Sequence, residues 1–216
     1  MELYSIILTV LELIGTVAFS VSGAMVAVSR GLDLFGVLFL GCITAFGGGI
    51  TRDLLLGRTP PSIFAKPLLL LLAVVAALAV FVVAYLNAKR FSALSHKVDR
   101  INLIFDSLGL SAFAVTGTEI ACTAGYADNA LLAITMGVLT CVGGGIFRDI
   151  LADQTPYVLK KHVYAMASIA GAGLYYVLRT YTSLQNVGSI VSMLLVVTIR
   201  LLAAHYRWKL PKVPLE

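Results

Sequence analysis

The chain has 216 residues, of which 59% are hydrophobic and only 12% charged, with a formal net charge of +5 and a mean hydropathy of +0.95. A water-soluble domain carries roughly a quarter charged residues, so this composition excludes an ordinary soluble protein and describes one whose main solvent is hydrocarbon. The excess positive charge lies in short connections between apolar runs, which is the pattern of topology determinants at an anionic membrane surface and not of a nucleic-acid-binding face.

Seven apolar stretches, each about long enough to cross a ~30 Å hydrocarbon core, run approximately over 4–28, 34–57, 67–87, 101–122, 128–151, 162–181 and 187–206. The first lacks a basic leader and a small-x-small cleavage site, so it is expected to be a retained span. It carries Glu12, followed by a stripe of Gly15, Ser22 and Gly23. The second holds Thr44 and then Gly47-Gly48-Gly49-Ile50-Thr51-Arg52-Asp53. Lys66 opens the third, where snorkelling of the long side chain to the interface is expected. After a polar connection from Lys89 to Arg100, the fourth carries Asp106, Gly109, Thr116 and Gly117, with Glu119 near its end and expected to reach water. The fifth holds Thr140 and then Gly143-Gly144-Gly145-Ile146-Phe147-Arg148-Asp149. His162 opens the sixth, and a polar tail, Arg207 to Glu216, follows the seventh. Cys42, Cys122 and Cys141 lie in apolar segments without metal-type spacing, so no disulfide, metal or other cofactor is expected.

Loop charge sets the expected orientation. One set of connections carries Arg30, Lys89, Arg90, Lys97, Arg100, Lys160, Lys161, Arg207, Lys209 and Lys212; the other carries only Arg58, Lys66 and Arg179. Cytoplasmic loops are the basic ones, which puts the C-terminus in the cytoplasm and the N-terminus outside, in the cell's inner (plasma) membrane. Arg52, Arg148 and Arg200 fall within spans and do not enter this comparison.

The triple-glycine phrases stand 96 positions apart, as do Thr59-Pro60 and Thr155-Pro156, and Gly41 and Gly137. In the preceding helices the offset is 94, pairing Gly15, Phe19 and Gly23 with Gly109, Phe113 and Gly117, and Glu12 with Asp106. The chain therefore reads as a single membrane domain, 1–216, with repeat one over about 4–87, repeat two over about 101–181 and an extra helix over about 187–206. Three spans per unit reverse the chain's direction, so the two copies should be inverted about a pseudo-twofold axis in the membrane plane.

Glycine costs about 1 kcal/mol relative to alanine inside a helix, so three in a row predict a kink or an unwound segment in helices two and five. Freed carbonyls and amides survive in lipid only against protein or a water-filled cavity. Close packing of helices through small residues is the alternative use of such glycines. Arg52 and Arg148 sit about 6 Å along the axis from the central glycine. Asp53 and Asp149 point about 100° away around the helix, so each arginine is expected to pair with an acid on another helix, Glu12 or Asp106. These pairs read either as clamps on the kinked helices or as charges lining a conduit, since ionised groups inside a membrane mark pathways.

The paired Gly-Gly-Gly-x-x-Arg-Asp phrases in a seven-span inverted repeat resemble the prokaryotic trimeric intracellular cation (TRIC) channels, over residues 4 to 206. The resemblance implies a homotrimer in which each protomer encloses its own pore for monovalent cations, chiefly potassium, beside helices two and five. Gly47 to Gly49 and Gly143 to Gly145 would be the pore kinks, and Arg52, Asp53, Arg148 and Asp149 the charged positions beside them. The same bacterial domain also carries a glycine-transporter label.

Two functions stand open at this point. Short loops without a nucleotide-binding motif argue against a pump, and a passive channel could coordinate potassium or sodium through half-helix carbonyls and the hydroxyls of Thr44 and Thr140, with Glu12 and Asp106 setting selectivity. A secondary transporter could hold the carboxylate of a zwitterion such as glycine on amide donors and its ammonium on Asp53 or Asp149. No His-carboxylate cluster or nucleophile-base pair points to an enzyme.

Overall fold

A computed structural model describes residues 2–88, 95–160, 163–182 and 184–208. His162 and the loop cations Lys89, Arg90, Lys161, Lys209 and Lys212 lie outside the described residues, as does the tail beyond 208. The described chain holds eight α-helices. Seven are long: α1 (Glu2–Ser29), α2 (Leu34–Leu55), α3 (Pro67–Leu86), α4 (Ser95–Ala121), α5 (Ala130–Leu151), α6 (Val163–Tyr181) and α7 (Gln185–His205). The eighth is a short turn, Tyr157–Lys160, and a 3₁₀ turn, Ser62–Ala65, precedes α3.

Local chemistry sets the helix boundaries. Asp33 caps α2 by accepting the Gly36 amide at 2.8 Å, and Asn129 caps α5 by accepting that of Leu132 at 3.0 Å, each covering an amide left without an intrahelical partner. Pro67 opens α3, where a missing N–H costs nothing. Gly31, at φ +72°, makes the tight turn between α1 and α2.

Six helices among the described residues are long and apolar enough to cross a membrane: α1 to α5 and α7. The expected sixth stretch forms α6, which has 19 residues but does not meet that criterion. It turns Tyr164, Ser168, Tyr175 and Tyr176 into the bundle, and their polar atoms dilute its apolar character. At the other extreme, α3 shows Leu68, Leu71, Val75, Val82 and Val83 outward, a surface suited to acyl chains.

Four helices make the centre. α1 packs on α4 and α2 on α5, with α1 also against α2 and α4 against α5. α3 covers α1 and α2, α6 covers α4 and α5, and α7 lies against α6 and α4. Phe19 and Phe113 meet edge to face across the α1–α4 contact, their ring centres 5.3 Å apart. That geometry suits the aromatic quadrupole.

Candidate functional site

The glycines correct one part of the expectation, the unwound segment. α2 and α5 continue as α-helix through both triplets, and none of these six glycines adopts positive φ. Their absent side chains instead let two backbones touch. A Cβ on Gly48 would overlap the Thr140 carbonyl, and one on Gly144 would overlap that of Thr44. On Gly143 it would stand 3.0 Å from the Gly48 Cα, and on Gly47 2.7 Å from the Phe147 ring. On Gly49 it would meet nothing nearer than the Arg52 guanidinium at 3.7 Å. Each helix offers a strip without side chains to the backbone of the other, so neither needs to unwind. The half-helix carbonyls and amides expected to face an ion or a carboxylate are therefore not freed.

The contacts around this crossing are reciprocal. Gly15 faces the Phe113 ring and Gly109 the Phe19 ring; Gly23 faces the Thr44 hydroxyl and Gly117 the Thr140 hydroxyl. Thr44 donates to the Leu40 carbonyl and Thr140 to that of Met136 at 2.6 Å. Each hydroxyl thus spends its proton on its own helix and keeps its lone pairs for another partner.

At the end of the bundle where α1 begins, Arg52, Asp53, Glu12 and Lys66 gather. Arg52 does not reach Glu12 as expected. Its Nε and Nη2 donate to Asp53 Oδ1 at 3.0 and 2.8 Å, because the long side chain folds back along its own helix. Asp53 Oδ2 accepts the Ser62 amide at 2.8 Å and the Ser62 hydroxyl at 2.7 Å, tying the end of α2 to the turn that leads into α3. Glu12 pairs with Lys66 instead, at 2.7 Å from each carboxylate oxygen. Lys66 is thus a partner for a membrane-depth acid and not merely a snorkelling chain. A cavity of about 40 Å³ opens here, lined by these four residues together with Thr16, Gly49, Ser62, Thr116 and Thr140.

At the other end, where α1 finishes, the equivalent groups are sealed. Arg148 is completely buried. It donates to Asp149 and Asp106, each at 2.8 Å, and to the Ser22 hydroxyl at 2.7 Å. The expected cross-helix partner, Asp106, is therefore found, with the adjacent Asp149 added. Arg200 joins Asp106 at 3.2 Å and lies over the Tyr164 ring at 4.5 Å, while Arg148 lies 5.4 Å from the centre of Tyr157. Arg148 Nη2 and Arg200 Nε have no hydrogen-bond acceptor among the described residues, and the aromatic faces supply electrostatic attraction in place of one. Asp149 Oδ2 accepts the Tyr157 amide at 2.8 Å, the counterpart of the Asp53–Ser62 tie. Burial pushes the Tyr157 phenol above its ordinary pKa, so it stays neutral.

Glu119 does not reach water. It is buried, accepts the Tyr175 hydroxyl at 2.8 Å and pairs with Arg179. Lys66, Arg200 and Tyr164 are site residues that the sequence reading did not select. An in-span acid demands a cation, and Lys66, at the matching depth for Glu12, and Arg200, itself in a span, were the available signals.

The bundle is thus a polytopic α-helical membrane protein in which a backbone contact between two glycine-rich helices separates a wet set of charges from a sealed one. The family profile described as "Glycine transporter" matches it twice, over residues 9–85 and 103–180, and the chain belongs to that family. It is 40% identical over 170 residues to a UPF0126 membrane protein of Deinococcus radiodurans, covering 78% of this chain and 74% of that one. It is 35% identical over 210 residues to the UPF0126 inner membrane protein YadS of Escherichia coli K12, covering 95% and 96%. Among solved structures it superimposes on a prokaryotic TRIC channel crystallised in 0.5 M KCl with a TM-score of 0.85 and 34% identity, over 95% of this chain and 100% of that one. A TRIC channel orthologue from Rhodobacter sphaeroides gives a TM-score of 0.82 and 32% identity, over 93% and 98%. A third structure, of TRIC cation channels described for their conductance, gives 0.82 and 36%, over 96% and 98%. The family profile describes a transporter and the matching structures are channels, so the protein is not an enzyme.

Proposed function

We propose that this protein is a monovalent cation channel, chiefly for potassium, with one pore inside each protomer of a homotrimer. The observation that carries this reading is the cavity beside the glycine contact, in whose otherwise largely apolar wall Glu12 and Lys66 are set and Thr16, Thr116 and Thr140 supply hydroxyl oxygens. Oxygen dipoles of this kind replace the hydration shell of a monovalent cation. Similarity to TRIC cation channels over nearly the whole chain supports the same reading. In this reading the buried network of Arg148, Asp106 and Arg200 closes the other end of the pore. Conduction requires that network to part.

Several finer features belong to the same proposal. The reciprocal glycine contacts and the two profile matches support an inverted three-helix repeat with α7 outside it. In that arrangement α6 also crosses the membrane, making seven spans, Arg52 and Arg148 lie on opposite sides of the midplane, and the glycines form the contact about which the pore opens. The loop charges support an N-terminus outside and a cytoplasmic C-terminus.

A second reading, transport of a small zwitterion such as glycine, is favoured by the family description and by the presence of both carboxylates and cations in the cavity. A tight backbone contact at the centre and a cavity of only about 40 Å³ suit a dehydrating ion better than an amino acid. The deciding experiment is the reversal potential of purified protein in a bilayer under a potassium chloride gradient, with glycine added afterwards. Unitary currents reversing near the potassium potential support the channel. A silent bilayer with glycine uptake in matched liposomes overturns it in favour of the transporter.

A further inference from the structure

We infer that Lys66 is a tethered counter-ion seated in the cation site of Glu12, which keeps the cavity neutral until the ammonium swings away. This inference deepens the channel reading and rests on it.

The geometry is that of a chelated ion. Lys66 Nζ stands 2.7 Å from both oxygens of Glu12, in the bisecting position that a monovalent cation takes on a carboxylate. An ammonium is a compact, hydrated point charge on a flexible stem, close in size to potassium. The stem leaves a fixed base, since Lys66 caps α3 ahead of Pro67 and its amide donates to Ile63 at 3.0 Å. The side chain can therefore pivot while the backbone stays in place.

Glu12 differs from the other acids in having a partner that can leave. Asp53 is committed through both oxygens, to Arg52 and to Ser62. Asp106, at the position equivalent to Glu12, is held by two guanidiniums, and all three of those side chains are 3% exposed or less. The Lys66 and Glu12 side chains are 43% and 27% exposed, so surrounding protein does not lock this pair as it locks the Asp106 network.

Charge balance gives the consequence. The ionised residues lining the cavity are Glu12, Asp53, Arg52 and Lys66, whose formal charges cancel. With the ammonium withdrawn, the lining carries one net negative charge beside the hydroxyls of Thr16 and Thr116. Lys66 thus sets both the affinity of the cavity mouth for cations and its discrimination against anions.

The test is single-channel recording of full-length Lys66→Gln, Lys66→Arg and the Glu12→Gln/Lys66→Gln double variant in potassium chloride. The half-saturating potassium concentration of Lys66→Gln should fall roughly fivefold or more, the effect of one charge acting at contact distance through near-bulk water. Its potassium-to-chloride permeability ratio should rise. Lys66→Arg, which keeps the charge, should not show this fall, and the double variant should lose the gain. Unchanged half-saturation and permeability ratio in Lys66→Gln overturn the inference. If the wild type passes no current, the channel reading fails by itself. The masking is then read by anomalous scattering from thallous ion soaked into crystals. Thallium at Glu12 in Lys66→Gln but not in the wild type supports it, and thallium in both or in neither overturns it.

Discussion

Gly48 of α2 lies against the Thr140 carbonyl of α5 so closely that a methyl group in place of its hydrogen would overlap the oxygen. Gly144 repeats the relationship on the Thr44 carbonyl. Rigid backbone on both sides leaves no flexible side chain to yield, so the two helices can accept a larger residue only by separating.

This makes the triplet glycines unequal. Gly48→Ala and Gly144→Ala should each cost about 1–3 kcal/mol by overpacking, whereas Gly49→Ala, facing only the Arg52 guanidinium tip, should cost less than about 1 kcal/mol. Thermal melting of the three variants in detergent checks the order. Equal melting temperatures would mean that the crossing is looser than this contact requires.

The sealed end should respond to charge removal as a unit. Asp106→Asn leaves Arg148 and Arg200 facing each other's charge in a buried setting, and breaking such a pair costs about 3–5 kcal/mol. Removing Asp106 and Arg148 together, in Asp106→Leu/Arg148→Met, should recover only part of that loss: the network stays neutral, but Asp149 and Arg200 each lose a partner. A double-mutant cycle on melting temperature measures the recovery, and strict additivity would refute the coupling.

The division between legible and hidden features follows from the range of the interactions. The apolar runs locate seven long helices to within six residues at each end, six of them apolar enough to cross a membrane, because a lipid-facing surface is written into nearly every position of a span. The duplicated phrases predict two copies, because equal offsets need no three-dimensional information. The use of Gly47 to Gly49 was hidden: the same triplet breaks a solitary helix and packs a paired one, and only the register of α2 on α5 decides. The Arg52–Asp53 pairing was hidden for a different reason. Helical angles fix where Cβ points, while an arginine guanidinium lies several bonds beyond it and can double back. Asp33 and Asn129, capping α2 and α5 at offset 96, extend the repeat to the helix starts, as residue types that favour the N-cap.

The acids should separate by exposure. Glu12 lines the cavity and Asp106 does not. Glu12→Gln leaves Arg52 and Lys66 against Asp53 alone, making the lining net positive, so the potassium-to-chloride permeability ratio should fall roughly fivefold. Asp106→Asn should reduce current or stability with the ratio nearly unchanged. Reversal potentials under a salt gradient distinguish the two, and an equal shift from both substitutions would mean that Asp106 sets the field of the ion path as Glu12 does, and not only its closure.

Glu119 anchors a third network, away from the cavity lining, and disturbing it should affect assembly of the helices and not permeation. It accepts the Tyr175 hydroxyl at 2.8 Å and pairs with Arg179, and Tyr175 meets the Tyr4 hydroxyl. Together they join the start of α1 to the ends of α4 and α6. Directly beyond, the chain leaves α4 through the loosened turn Cys122–Tyr126, where Gly125 has φ +99°, so the clamp holds a helix at the point where its regular ladder fails. Glu119→Gln keeps the shape and one acceptor but weakens two hydrogen bonds to a charged group, a loss of about 1.5–3 kcal/mol each at most. Arg179→Met should cost more than that change, because it leaves the more buried ion of the pair, Glu119 at 7% exposed against 18% for Arg179, with only the Tyr175 hydroxyl. Melting temperature should fall in that order. The permeability ratio should remain at the wild-type value, since neither residue lines the cavity. A shifted ratio with unchanged melting would reverse the assignment and make Glu119 part of the conduction path.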